Sequence, residues 1–113
     1  MGPDRRFRFH DAAMRADLCA RMAAAGVAHA VGPGGAVRFA AADEQGFDDA
    51  AVDVRDAAFG PFRWHVCMCE PGEVAGYVAY TAAHGIRYVR ETNDDETWFL
   101  LAREHDPEEW GLW

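Results

Sequence analysis

An imidazole and two thiols lie at alternate positions of one short stretch, His65, Cys67 and Cys69, interleaved with Trp64, Val66 and Met68. In an extended strand, residues two apart point to the same face, so all three soft groups share one side. Such groups suit zinc or copper, or a thiolate activated by a neighbouring histidine. Structural zinc sites, however, draw paired cysteines from turns and close on four ligands, and no second pair accompanies these. Cysteine is also among the most buried residue types. Sheet packing is therefore the expected role, with no metal and no cofactor. The third cysteine, Cys19, is remote in sequence. A Cys67–Cys69 disulfide would close too small a loop to act as a framework, so the thiols are expected to be reduced.

Missing residue types exclude further chemistry. The chain has no lysine and no serine, so it lacks a phosphate-loop lysine, a Schiff-base amine, and a serine triad or its G-x-S-x-G elbow. Gly32-Pro33-Gly34-Gly35 is rich in glycine but falls between two strand-like runs. Phosphate loops draw their field from a following helix N-terminus, so a turn is expected there. The acidic run from Glu91 to Glu96 lacks the glycine and the spacing of a calcium-binding EF-hand loop.

Charge is distributed unevenly. Every one of the 11 basic side chains is arginine, against 19 acids and a formal charge of −8. Arg5, Arg6, Arg8, Arg38, Arg63, Arg87, Arg90 and Arg103 fall in expected strands, whereas the acids concentrate on helices, turns and the C-terminal stretch. If Phe7, Phe9, Val37, Phe39, Phe62, Trp64 and Val66 face the core, alternation sends Arg6, Arg8, Arg38, Arg63 and His65 to the opposite face. Guanidinium forks on an open sheet suit carboxylates and phosphates. Ordinary outward polar alternation, each arginine paired to a local acid, is the competing explanation. Asp49, Asp53 and Asp56 recur along one helix, a stripe that costs about 0.2–0.5 kcal/mol per like-charge pair and would be offset by a partner bearing arginines. A solvated face is the more frequent reason for such a stripe.

These groups must be positioned by one domain spanning residues 1–113, half of whose residues are hydrophobic. Arg5–Phe9 reads as a strand, followed by a helix capped by Asp11 with Met14, Leu18 and Met22 on its buried stripe and Gly26 as its stop. Val27–Val31 and Ala36–Ala40 read as a hairpin. Asp43 opens a second helix buried through Phe47, Ala51, Val54 and Ala58, and Phe62–Cys69 is the most regular strand. Pro71 starts a third helix that carries Tyr77, Tyr80 and His84, and Gly85 ends it. Ile86–Glu91 and Thr97–Arg103 form a final hairpin.

The order β-α-β-β-α-β-α-β-β predicts an α+β two-layer sandwich. Its mainly antiparallel sheet has helices on one face, with a ferredoxin-like βαββαβ core extended by αββ. No apolar run reaches the roughly 18–20 residues of a membrane span, and no signal peptide is evident, so a cytoplasmic setting is expected. The Ala- and Arg-rich composition suggests a bacterial source. The acidic balance argues against nucleic-acid backbone binding.

Two functional expectations follow. The first is a small acidic, non-catalytic interaction module (an inhibitor, immunity or regulatory factor) that meets a protein partner through Asp49, Asp53, Asp56 and the aromatic residues Trp110 and Trp113. The second is a binding domain or small enzyme that takes an anionic molecule on an open sheet face anchored by Arg38, Arg63 and His65. Covering of that face by a second copy, as a homodimer, would explain the arginines differently.

Overall fold

A computed structural model describes residues 4–61 and 63–102. Six strands and three α-helices alternate: β1 (Asp4–Phe9), α1 (Ala12–Ala24), β2 (Ala30–Val31), β3 (Val37–Ala40), α2 (Glu44–Phe59), β4 (Trp64–Cys69), α3 (Val74–His84), β5 (Tyr88–Asn93) and β6 (Glu96–Ala102). Asp11 caps α1 by accepting from the Met14 N–H at 2.9 Å. Asp43 precedes α2 but makes no such side-chain bond. A single 3-10 turn, Pro71–Glu73, leads into α3, closed by a reciprocal capping box between Glu70 and Glu73. Gly85 ends α3 in the left-handed conformation. Phe62, Arg103, Trp110, Leu112 and Trp113 lie outside the described residues.

The strands form one antiparallel sheet in the order β2-β3-β1-β5-β6-β4. A mixed α+β architecture with an antiparallel sheet agrees with the sequence pattern. Two finer expectations need correction. A ferredoxin-like order would set the fourth strand beside the first; here β5 takes that place, and β4 lies at the far edge beyond β6. The order resolves into two consecutive βαββ units, β1-α1-β2-β3 and β4-α3-β5-β6. In each unit the last strand lies between the other two, and the units join where β1 pairs with β5.

The helices also divide between the faces. Phe7, Phe9, Val37, Phe39, Val89 and Leu100 pack with Met14, Leu18 and Met22 of α1 and Phe47, Ala51 and Val54 of α2. The alternate residues Cys67, Cys69, Tyr88, Phe99 and Leu101 pack with Val74, Tyr77 and Val78 of α3. Thus α3 covers β4, β6 and part of β5 on the face expected to be open. The physical reason is composition: β4 and β6 are apolar on both faces, the pattern of strands buried on two sides. Among the described residues no helix covers the same face of β1, β2 and β3.

One polar pair crosses the α1/α2 core. Glu91, 1% exposed, accepts from Nε and Nη2 of Arg55 at 2.9 and 2.6 Å. The guanidinium lies 5.3–5.9 Å from the rings of Phe7, Phe9 and Trp64. Burial pushes the Glu91 carboxyl up against the pull of Arg55.

Candidate anion-binding face

The bare half-face is built by alternation. Phe7 and Phe9 are drawn into the core, so Arg6, Arg8 and the next residue, His10, project from the other side of β1. Cross-strand register then assembles the surface. Arg6 stands opposite Arg38 of β3, and Arg8 opposite Thr92 of β5. The His10 N–H donates to the Arg90 carbonyl at 2.9 Å, which places those two residues side by side. Arg8, Thr92, His10 and Arg90 therefore mark the corners of a rectangle of about 5 by 7 Å, set by strand spacing and rise.

Within it, His10 Nε2 and Thr92 Oγ1 are 2.8 Å apart. The Nε atoms of Arg8 and Arg90 are both enclosed and have no hydrogen-bond partner among the described residues. Neither guanidinium forms an ion pair among the described residues. The indole Nε1 of Trp98 is also unpartnered, but Trp98 lies opposite Glu91 on the other face. Buried polar groups without partners are scarce in native proteins, and a missing water or ion is a common explanation. Two of them flanking one imidazole are an invitation to an anion.

The surrounding charge agrees. His10 is held below the usual imidazole range, first by burial and then by Arg8, Arg90 and Arg15. Arg15 is anchored by donating to the Phe9 carbonyl at 3.2 Å, and its side chain lies against Gly35. A Cβ at Gly35 would sit 2.9 Å from Arg15, and the backbone there has φ +85°, so the glycine loop admits Arg15 only because it has no side chain.

Grooves of about 460 and 230 Å³ adjoin the face, bordered by Arg6, Arg38, Pro33, Ala36, Arg8 and Thr92. Carboxylates line them too. Asp4 lies 3.4 Å from Arg38. Asp94 is committed to Arg5 Nε at 2.9 Å and the Arg6 N–H at 3.0 Å, while Asp95 is exposed at the turn. Among the described residues the side chains of Arg6, Arg8 and Arg90 form no ion pair; Asp95 borders the groove of Arg6 and Arg8, and Asp11 borders that of Arg90.

The residues expected from sequence to anchor an anion do not meet. Arg38 lies on β3 and His65 on β4, four strand spacings or about 19 Å apart, with α3 between them. Arg63 is exposed just before β4. Cys67 is half-buried and Cys69 buried, the latter donating to the Glu70 carbonyl at 3.4 Å. Burial raises the Cys69 thiol, which opposes a nucleophilic role. Among the described residues no three His, Cys, Asp or Glu side chains come together as a metal site.

On α2, Asp49 accepts from Gln45 at 3.0 Å and Asp56 from the Trp64 indole at 2.7 Å, leaving Asp53 exposed. Tyr77 is buried against Phe99, and Tyr80 stacks on His84. Sequence reasoning missed His10, Thr92 and Arg90 as one site. Their parity was readable, but the β1–β5 pairing that unites them was not.

No family model matches this chain, and no curated protein or solved structure matches it either. No helix among the described residues is long and apolar enough to cross a membrane.

Proposed function

We propose that this protein is a binding module for a small anionic ligand, seated on the half of the sheet that α3 leaves bare. The observation that supports this reading is the pair of enclosed Nε atoms of Arg8 and Arg90, neither with a hydrogen-bond partner among the described residues, on β1 and β5, which also position the bonded pair His10 and Thr92. Charge-assisted hydrogen bonds contribute about 1.5–3 kcal/mol each, so two or three give at most about 9 kcal/mol, and association costs of at least about 4 kcal/mol leave affinity near the millimolar range. The overall charge of −8 does not oppose this at close range, because salt screens charges beyond about 8 Å under physiological conditions.

A protein-docking role for the acidic helix has less support. Asp56 is used internally, Asp49 has a local partner, and Trp110 and Trp113 lie outside the described residues. A homodimer through the sheet would have to bring acids to Arg6, Arg8 and Arg90.

A thermal-shift screen of inorganic phosphate, nucleotides, sugar phosphates and dicarboxylates tests the reading. At a ligand concentration ten times Kd the folded state gains about 1.4 kcal/mol, several degrees in Tm for a domain of this size. The shift should vanish in Arg8→Gln at constant ionic strength. No shift with any anion, or equal shifts in Arg8→Gln, would overturn the proposal.

A further inference from the structure

The two edges of the sheet are finished differently. The β2 edge is only two residues long, and short edge strands resist the addition of a further strand. The β4 edge runs unbroken for six residues, Trp64–Cys69, with no proline, no bulge and no Asp, Glu, Lys or Arg, the devices that usually keep another strand away. Its main chain can be followed residue by residue, because bonding alternates along an antiparallel pair. The His10 N–H donates to the Arg90 carbonyl at 2.9 Å and the Asp94 N–H to the Arg6 carbonyl at 2.8 Å, so Arg90 and Thr92 turn toward β1. Val89, Glu91 and Asn93 must then bond to their partners Leu100, Trp98 and Glu96, and Thr97, Phe99 and Leu101 to Cys69, Cys67 and His65. The N–H and C=O groups of Trp64, Val66 and Met68 are left pointing outward, and among the described residues no other main-chain group bonds to them.

We infer that β4 is a docking edge for a second copy of this chain, the two β4 strands pairing antiparallel about a twofold axis normal to the sheet. Centring that axis on Val66 sets Val66 against Val66 of the partner subunit and Trp64 against Met68 of the partner subunit. This register uses every outward group on both copies. Sliding the strands toward Glu70 does not, because the Glu70 N–H is already given to the Glu73 carboxylate at 3.1 Å. The flanking charges select the direction. Arg63, exposed and without an ion pair among the described residues, precedes the strand, and the exposed Glu70 follows it. Antiparallel pairing brings each near the opposite charge on the other copy, whereas parallel pairing would set like charges together. The side chains agree. A twofold normal to the sheet keeps the faces matched, so Met68, 46% exposed, gains the half-buried Trp64 of the partner subunit, a thioether against an indole. The pairing lies at the far end of the sheet from β1, so it goes beyond the anion-binding reading and leaves the bare half-face open in both copies.

One strand per copy is a small interface, so the dimer should be weak, with Kd of roughly 10–100 µM. Sedimentation of the full chain under reducing conditions should pass from monomer to dimer across that range. Residue-resolved amide exchange then identifies the edge. The N–H groups of Trp64, Val66 and Met68 should exchange several-fold more slowly at about 1 mM than at about 20 µM. The N–H of Val31, which points outward at the β2 edge, should not change. Under oxidation Val66→Cys should give a covalent dimer joined at position 66 of both copies, because the Cα atoms of a hydrogen-bonded pair lie about 5.5 Å apart, within disulfide range. Met68→Pro should keep its Tm within a few degrees, since proline is tolerated where the N–H faces outward, and should stay monomeric. A monomer at every concentration would leave the edge to a strand of another protein and overturn the inference. So would a dimer whose three amides exchange as in the monomer, a Val66→Cys link only to other positions, or protection of those amides in the monomer itself.

Discussion

Replacing Arg55 with leucine should be among the most damaging single changes this chain can suffer. Arg55 is 14% exposed and holds a 1% exposed carboxylate through two short bonds. Breaking a buried pair from one side typically costs about 3–5 kcal/mol, because it strands the remaining charge. The guanidinium's position near Phe7, Phe9 and Trp64 adds to the loss. Set against a typical total of about 5–15 kcal/mol, the variant is left near the edge of folding, with Tm lowered by at least about 12 °C.

The cost should depend on pH. Without Arg55, the folded-state pKa of Glu91 lies still further above its unfolded value, so the folded variant binds the proton more tightly than the unfolded chain. Its stability is therefore highest at low pH and is lost as pH rises through the raised pKa. Urea denaturation followed by tryptophan fluorescence at pH 5 and pH 8 should show a smaller deficit relative to wild type at pH 5. The double change Arg55→Leu with Glu91→Leu should recover most of the loss, since an apolar pair of similar volume strands no charge. A deficit below about 1 kcal/mol, or one equal at both pH values, would refute the view that this pair is a buried, mutually dependent unit.

Other perturbations have equally definite outcomes. His10 is held below its unfolded pKa, so the unfolded chain binds the proton more tightly; acid melts should show stability falling as pH drops below about 6.5, and His10→Gln should flatten that slope. Trp64→Ala should destabilise by about 3 kcal/mol, from lost burial beside Arg55 and the lost bond to Asp56, and a melting curve that barely moves would contradict the assigned core face. Reversing Asp49 and Asp53 to Arg should change stability by less than about 1 kcal/mol, as measured by urea titration, because both residues are exposed.

Local signals recovered the elements well because they depend on neighbours in the chain. The Asp11 cap, the Met14, Leu18 and Met22 stripe and the Gly85 stop all appear where their periodicity put them, whereas the expected alternation of Phe62–Cys69 does not carry through β4, where Met68 is exposed and Cys69 buried. The placement of α3 failed for a long-range reason. Which face of β4 is covered depends on β5 and β6 intervening between it and β1, a pairing set by hydrophobic matching across the sheet and not by any local residue. The same error separated Arg38 from His65, because four strand spacings lie between residues that were assumed to share an open face. Arg6, Arg8 and Arg38 share a face of β1 and β3 that no described helix covers, since alternation within those strands suffices to place them together. Arg90 and Thr92 needed the β1–β5 contact, which joins residues more than 80 positions apart. Arg55 and Glu91 carried no sequence signal as a pair. Each reads as an ordinary surface charge until the fold brings α2 over β5.

The central claim is that an anion sits between Arg8 and Arg90, and side-chain nitrogen NMR observes those two groups directly. In a 15N-labelled sample titrated with methyl phosphate at constant ionic strength, the Nε–Hε signals of Arg8 and Arg90 should move together, saturate at one concentration and become protected from exchange. The signals of Arg21, paired with Asp17 on α1, should stay in place. Shifts spread evenly over all arginines, or confined to exposed ones such as Arg87, would contradict the account.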